Sequence, residues 1–269
     1  MATPIGNLGD VTRRALETLA AADLVAAEDT RVTRALLAHF GIPARLLAVH
    51  EHNESAAAER IARSIAGGAA VALVSDAGTP GVSDPGRAVV ARVREAGLRV
   101  VAVPGPSALT AALSVSGLAF EGVVFAGFLP AKGGARRERL AALAAAPWAI
   151  ALFEAPHRIE RTLADLHAAL GSRDVVIARE LTKRFETVVR LPLAEAAAWV
   201  AADPDRRRGE FVLVIEGRPA HGPRGPDPRA VLQALLAELP TGKAAALAAK
   251  ITGLPRGELY AAALRLANK

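Results

Sequence analysis

Directly after the apolar run Val71–Val74 stands Ser75-Asp76-Ala77-Gly78-Thr79-Pro80-Gly81-Val82-Ser83-Asp84-Pro85-Gly86. Three glycines, two prolines and two carboxylates in twelve residues make it rigid at the prolines and permissive at the glycines. Surface turns rarely need so much. A carboxylate in such a loop can hold sugar hydroxyls, and glycine amides can meet the edge of a base or an acid group. Asp84-Pro85 also fits a helix N-cap followed by proline at the first helical position, so Asp84 is assigned to structure. Thr3-Pro4-Ile5-Gly6-Asn7-Leu8-Gly9-Asp10 has two glycines that permit close backbone approach, with Asp10 placed to cap the next helix. It is not a dinucleotide fingerprint. Pro104-Gly105-Pro106-Ser107-Ala108 opens another helix, whose free amides suit an anionic or polar group.

Acids, bases and cations gather after other apolar runs. Glu28-Asp29-Thr30-Arg31 offers two carboxylates, although Asp29 also suits an N-cap. Glu154-Ala155-Pro156-His157-Arg158 and Arg179-Glu180-Leu181-Thr182-Lys183-Arg184 bring His157, Arg158, Arg179, Lys183 and Arg184 to one region. Lys132, Arg136, Arg137 and Arg139 suit contact with phosphates, against the plainer reading of a solvated helix face. His50-Glu51-His52-Asn53-Glu54 has histidines and acids but no catalytic zinc spacing.

Strand and helix patterns alternate around these loops. Strands are expected at Leu24–Ala27, Leu46–Val49, Ala70–Ser75 and Arg99–Val103. Helices are expected at Val11–Ala22, Arg31–Phe40, Glu54–Ala66, Pro85–Ala96 and Ser107–Gly117. Such alternation predicts a parallel sheet covered on both faces, ending near residue 118. The rhythm restarts with strands at Val123–Ala126, Ala149–Phe153, Asp174–Glu180, Phe185–Leu191 and Phe211–Glu216. Helices intervene near Ala135–Ala145, Arg158–Leu170 and Leu193–Ala201. Two of these strands are so close that the second sheet should be mixed. Residues 218–229 are dense in Pro and Gly and read as a linker. Beyond it, Ala230–Glu238, Thr241–Thr252 and Arg256–Ala267 read as three short helices, with Thr241 as N-cap and Gly253 as stop. They form either a helix-turn-helix-like module or a cap packed on the body or on a dimer partner.

Composition bounds the class. The 269 residues are 52% hydrophobic but 4% aromatic, so the core must be built from Ala, Val, Leu and Ile. The absence of cysteine excludes disulfides, thiolate metal sites and a cysteine nucleophile. No membrane span or export signal is legible, and the expected compartment is the cytoplasm. A net charge of +6 favours a polyanionic partner, although an Arg-rich, Ala-rich composition produces it too. Only five of the 33 basic residues are lysine, which makes Lys132 and Lys183 stand out.

TPIGNLGD, AAEDTR, HEHNE, LVSDAGTPGVSDPG, PGPSALTAALSVSGL, GFLP, PHR, RELTK-RFET and GEFVLVIEG follow one another in that order. Together they resemble the ribosomal RNA small-subunit methyltransferase I family of the tetrapyrrole methylase superfamily, from the first residues to about 217. The terminal helices resemble that family's helix-turn-helix-like extension. The resemblance implies an α/β fold of two tetrapyrrole-methylase-like domains, 1–118 and 119–217, with a cofactor cleft between them, a linker at 218–229 and a helical module at 230–269. It further implies S-adenosylmethionine as cofactor, no metal, a homodimer, and 2'-O-methylation of a decoding-centre cytidine in 16S rRNA, in the 30S subunit. By resemblance and loop position, Pro4, Asp76, Ala77, Gly78, Thr79, Pro80, Ser107, Ala108, Phe153 and Glu154 are expected at the cofactor. Glu28, Asp29, Glu180 and Lys183 are expected at the reacting atoms, with His50 and Glu51 as further proton-handling groups. Lys132, Arg136, Arg137, Arg158, Arg179 and Arg184 are expected on RNA. Two other readings compete: methylation of a tetrapyrrole or other small molecule, and a non-catalytic RNA-binding protein that keeps the cleft. The resembled proteins begin with an apolar strand before TPIGN, whereas Met1-Ala2 here leads straight to it. The expectation is a mis-assigned start, with natural upstream residues rich in Val, Leu or Tyr; alternatively another segment or a partner chain fills the slot.

Overall fold

The computed structural model describes residues 1–50, 52–217 and 228–267. The chain divides after Gly217 into two compact units. In the first, Leu24–Ala27 (β1), Leu46–Ala48 (β2) and Val71–Val74 (β3) form a parallel sheet in the order β2-β1-β3. Successive β1 residues serve opposite faces, as a strand's two-residue period requires. Val25 and Ala27 pack with Leu19 of α1 (Arg13–Ala21) and Leu37 of α2 (Thr30–His39). Ala26 packs with Ile61 of α3 (Glu54–Ala66) and with Val89 and Val93 of α4 (Arg87–Glu95). Both faces are covered, which is why the strands read as unbroken apolar runs.

The second sheet comprises Val123–Phe128 (β4), Ala149–Glu154 (β5), Asp174–Arg179 (β6), Thr187–Pro192 (β7) and Phe211–Ile215 (β8), in the order β4-β5-β8-β6-β7. It is mixed: β4 and β5 are parallel, and the other pairs are antiparallel. Phe211, Leu213 and Ile215 enter a core shared with α6 (Gly133–Ala144), α7 (Ile159–Leu170) and α8 (Leu193–Ala201). On the opposite face, Val212 and Val214 join Val176 and Ala178 against Ile5 and Ala112, the latter on α5 (Ala108–Val115). That contact carries the N-terminal loop and the start of α5 to the strand ends of the second sheet.

Several local expectations are corrected. Arg99–Val103 is not a strand: among the described residues its one backbone partner is the Ala2 amide, which donates to Val103 O at 3.2 Å. The Met1 amino group donates to Leu73 O at 2.9 Å, so the first residues meet β3 and this run at single points instead of laddering with them. Val100 and Val101 stay exposed. Thr12, not Asp10, caps α1, its hydroxyl accepting from the Ala15 amide at 3.1 Å. Asp84 does not cap α4: Glu54 Oε1 accepts from the Gly86 and Ala88 amides at 2.8 and 2.9 Å. The seventh strand starts at Thr187 because Phe185 and Glu186 complete a turn, with the Glu186 amide donating to Lys183 O.

The second unit holds Pro228–Glu238 (α9), Thr241–Thr252 (α10) and Arg256–Ala267 (α11) around Leu232, Ala245, Ala248, Leu259 and Ala263. Thr241 lies inside α10, whose N-cap is Pro240. Gly253 closes that helix at φ 72°, a left-handed stop that glycine adopts without a Cβ clash. The expected linker falls on 218–229, of which 218–227 lie outside the described residues.

Candidate active site

A cavity of about 350 Å³ lies within the first unit, where both sheets end. Ala77, Gly78 and Thr79 of the loop after β3 form one wall, with Ser107 and Ala108 at the start of α5. Phe153 and Glu154 from the end of β5, Ala178 and Leu181 around the end of β6, and Glu210, Phe211 and Val212 at the start of β8 form the other. Backbone bonds hold the first wall. Thr3 and Gly78 exchange amide-to-carbonyl bonds at 2.9 and 3.0 Å, and Thr79 Oγ1 donates to Pro106 O at 3.3 Å. Gly78 sits at φ +77°, and a Cβ there would stand 3.4 Å from Ile5 Cγ2. Glycine is required by conformation, whereas the contact with Ile5 would be an ordinary one.

Seven of the ten residues expected at a cofactor line this cavity: Ala77, Gly78, Thr79, Ser107, Ala108, Phe153 and Glu154. Pro4, Asp76 and Pro80 are not in its wall. Asp76 Oδ1 accepts the Asp29 amide at 2.9 Å, tying the loop after β3 to the end of β1. Glu154 is committed within the fold. Its carboxylate accepts from the Ala155 amide and the Thr162 hydroxyl and pairs with Arg158 at 3.2 Å.

The acids differ in availability. Asp29 is held by Arg31, which with the Arg31 backbone amide lowers its pKa to about 2. It caps α2 by accepting that amide at 2.8 Å. Burial pushes the Glu28 carboxyl up, and the charges of Asp76 and Asp84 push the same way. Glu180 Oε1 accepts from Lys183 Nζ at 3.0 Å and from the Glu210 amide at 2.9 Å. Burial raises the Glu180 carboxyl, but these donors outweigh it and the net shift is downward. Lys183 Nζ also reaches Glu210 Oε2 at 2.8 Å. Burial lowers the Lys183 ammonium, yet its two carboxylates win and hold it above the ordinary lysine range. Lys183 is a fixed cation and a poor base. Its side chain crosses the backbone of Gly6, where a Cβ would collide with it. The loop that carries it places Glu180 and Thr182 at φ 52° and 66°, the left-handed region that L side chains avoid.

Three residues expected on RNA turn inward instead. Arg136 is 1% exposed, its Nε donating to Asp165 Oδ2 at 2.6 Å. Arg179 is buried and donates from Nη1 to Asp205 O and Arg208 O, both at 3.0 Å. Arg158 is spent on Glu154 and on Leu129 O. Lys132, Arg137 and Arg184 are exposed, Arg184 with its guanidinium 5.5 Å from the centre of the Phe185 ring. His50 and His52 are exposed, and Glu51 lies outside the described residues. Among the described residues no group of His, Cys, Asp or Glu could hold a metal ion.

Sequence reasoning missed Val82, Asp84, Phe128, Leu181 and Glu210 in the cavity wall. For Glu210 a signal exists. The strand that follows it runs antiparallel to β5 and β6, so its beginning lies beside their ends.

The family described as Tetrapyrrole (Corrin/Porphyrin) Methylases matches residues 2–197, and the RsmI C-terminal HTH domain matches 223–267. Solved structures agree on the fold. The methyltransferase CobJ is 20% identical with a TM-score of 0.56, covering 79% of this chain and 90% of its own. Uroporphyrin-III C-methyl transferase from Thermus thermophilus, complexed with S-adenyl homocysteine, is 21% identical with a TM-score of 0.53, covering 78% of this chain and 93% of its own. Fold and cleft thus define a methyltransferase of the tetrapyrrole methylase class. Curated relatives narrow the class. "Ribosomal RNA small subunit methyltransferase I" of Escherichia coli O157:H7 is 52% identical over 97% of this chain and 92% of its own length. The protein of that name from Pseudomonas aeruginosa is 50% identical over 100% of this chain and 97% of its own. The chain belongs to the ribosomal RNA small subunit methyltransferase I family.

Proposed function

We propose that the protein transfers a methyl group from S-adenosylmethionine to the ribose 2'-hydroxyl of a cytidine in the decoding centre of 16S rRNA. It acts in the cytoplasm as a homodimer, on the assembled 30S subunit. One observation carries the reading: the cavity joins seven of the ten residues that the family resemblance assigns to the cofactor, in a chain whose half-identical relatives bear the rRNA methyltransferase name.

The residues present fit such a cofactor. A cavity of about 350 Å³ is within the range of small-molecule sites, about 300–1,000 Å³. Gly78 lets a ligand approach backbone, and the amides at the start of α5 are left free, since Ser107 makes no side-chain cap. They suit the methionine carboxylate. Ala108, Phe153, Leu181 and Val212 supply apolar walls for an adenine. When bound, the cofactor supplies an electrophilic methyl group on a sulfonium. The chain's own part is to align the ribose oxygen with it, exclude water and receive a proton. Exposed Lys132, Arg137 and Arg184 offer phosphate contacts, while Lys183, neutralised by Glu180 and Glu210, fixes its loop beside Gly6.

Tritiated S-adenosylmethionine, offered with free 16S rRNA and with 30S particles from cells lacking the modification, tests this. Label is expected in the rRNA of the particles and far less in free rRNA. A protein that labels neither, or that labels a small tetrapyrrole instead, would refute it.

A further inference from the structure

Three carboxylates line the cavity, and two are engaged. Glu154 is held by Thr162, the Ala155 amide and Arg158, and Glu210 by Lys183. The third, Asp84, stands in the wall near Val82 and Phe128, and no ion pair reaches it among the described residues. Nor does it serve the helix behind it, because Glu54 from α3 already takes the Gly86 and Ala88 amides. The groups that face it are Ser75 and Asp76 from the loop after β3 and Glu28 from the end of β1. One is a hydroxyl and two are acids. A half-buried carboxylate among like charges, with no cation and no capping duty, is costly to the fold.

We propose that Asp84 is the catalytic residue that accepts the proton of the hydroxyl being methylated. The assignment rests on the ribose-methylation reading above. In the step, the ribose oxygen bonds to the methyl carbon while the carbon–sulfur bond breaks and leaves its electron pair on sulfur. The hydroxyl proton passes to a carboxylate oxygen of Asp84 and then to water. Burial, then the charge of Asp76, push the Asp84 carboxyl up to about 6, with the Ser75 hydroxyl pulling it back. It is therefore ionised at neutral pH yet basic enough to take a proton in the transition state. Of the other acids, Asp29 and Glu180 are weaker bases, held down by Arg31 and by Lys183 with the Glu210 amide, and Glu28, though also pushed up by burial, is not in the cavity wall.

Asp84→Asn keeps the shape and removes the base. The parent's own transfer to 30S particles tests the underlying reading, and the ratio of variant to parent tests Asp84. The expected loss in kcat is about 10²–10⁴-fold, the range for a positioned acid–base group. S-adenosylhomocysteine affinity by calorimetry and rRNA affinity by filter binding should stay at parental values. Melting provides a readout independent of turnover. A carboxyl whose folded pKa is raised to about 6 makes the parent lose stability as pH climbs from the ordinary aspartate range through 6, and Asp84→Asn should lack that loss. Parental kcat in the variant would overturn the proposal. So would lost S-adenosylhomocysteine affinity at unchanged kcat, or an unaltered pH dependence of melting.

Discussion

Gly78 shows how much one residue position carries. Its positive φ strains any side chain, a β-branched one most, and its paired bonds to Thr3 hold that conformation in place. Gly78→Val is expected to abolish binding of S-adenosylhomocysteine in calorimetry while circular dichroism remains that of a folded protein. Parental affinity in the folded variant would remove this loop from the site. Gly78 was legible in sequence because a glycine-dense loop after a buried strand has few other uses. Asp84 was not: Asp-Pro reads locally as a helix start, and only the fold shows that Glu54, from a different helix, does the capping. Lys183 and Glu180 were visible as a basic-acidic pair, but their mutual neutralisation depends on Glu210 arriving from a later strand.

Among the elements, α6 separates two kinds of arginine. Arg136, Leu140 and Leu143 are its buried residues, spaced four and three apart on one helix face, whereas Lys132 and Arg137 point outward. That spacing is present in the sequence and by itself favours an inward Arg136; grouping it with its basic neighbours obscured the period. Neutralising Lys132 and Arg137 together should weaken rRNA binding and reduce its log–log salt slope by about 1.4, at about 0.7 per phosphate contact on single-stranded RNA. Cofactor affinity should not change. Arg136→Ala should leave the slope alone and cost on the order of 3 kcal/mol in urea unfolding, because Asp165 loses its buried partner. Equal slopes for parent and double variant would make the exposed pair a solvated face.

Across the whole molecule, most elements were legible because alternating runs bounded by Gly and Pro map onto two covered sheets. Arg99–Val103 was the exception. Its composition is that of a strand, but strand formation needs a neighbour's ladder, and Ala2 supplies a single bond. The meeting of the two halves at Ile5, Ala112, Val212 and Val214 is a long-range fact that no local pattern contains. That junction brings the cofactor loops, Asp84 among them, against the strand ends where Glu210 and Lys183 stand, and it is the basis for the proposed site of ribose methylation. Nucleoside analysis of rRNA labelled by the protein bears on that reading without intermediate assumptions. After complete digestion of 30S rRNA incubated with tritiated S-adenosylmethionine, label is expected in 2'-O-methylcytidine alone; label in a base-methylated nucleoside, or none in RNA, would contradict ribose methylation at this site.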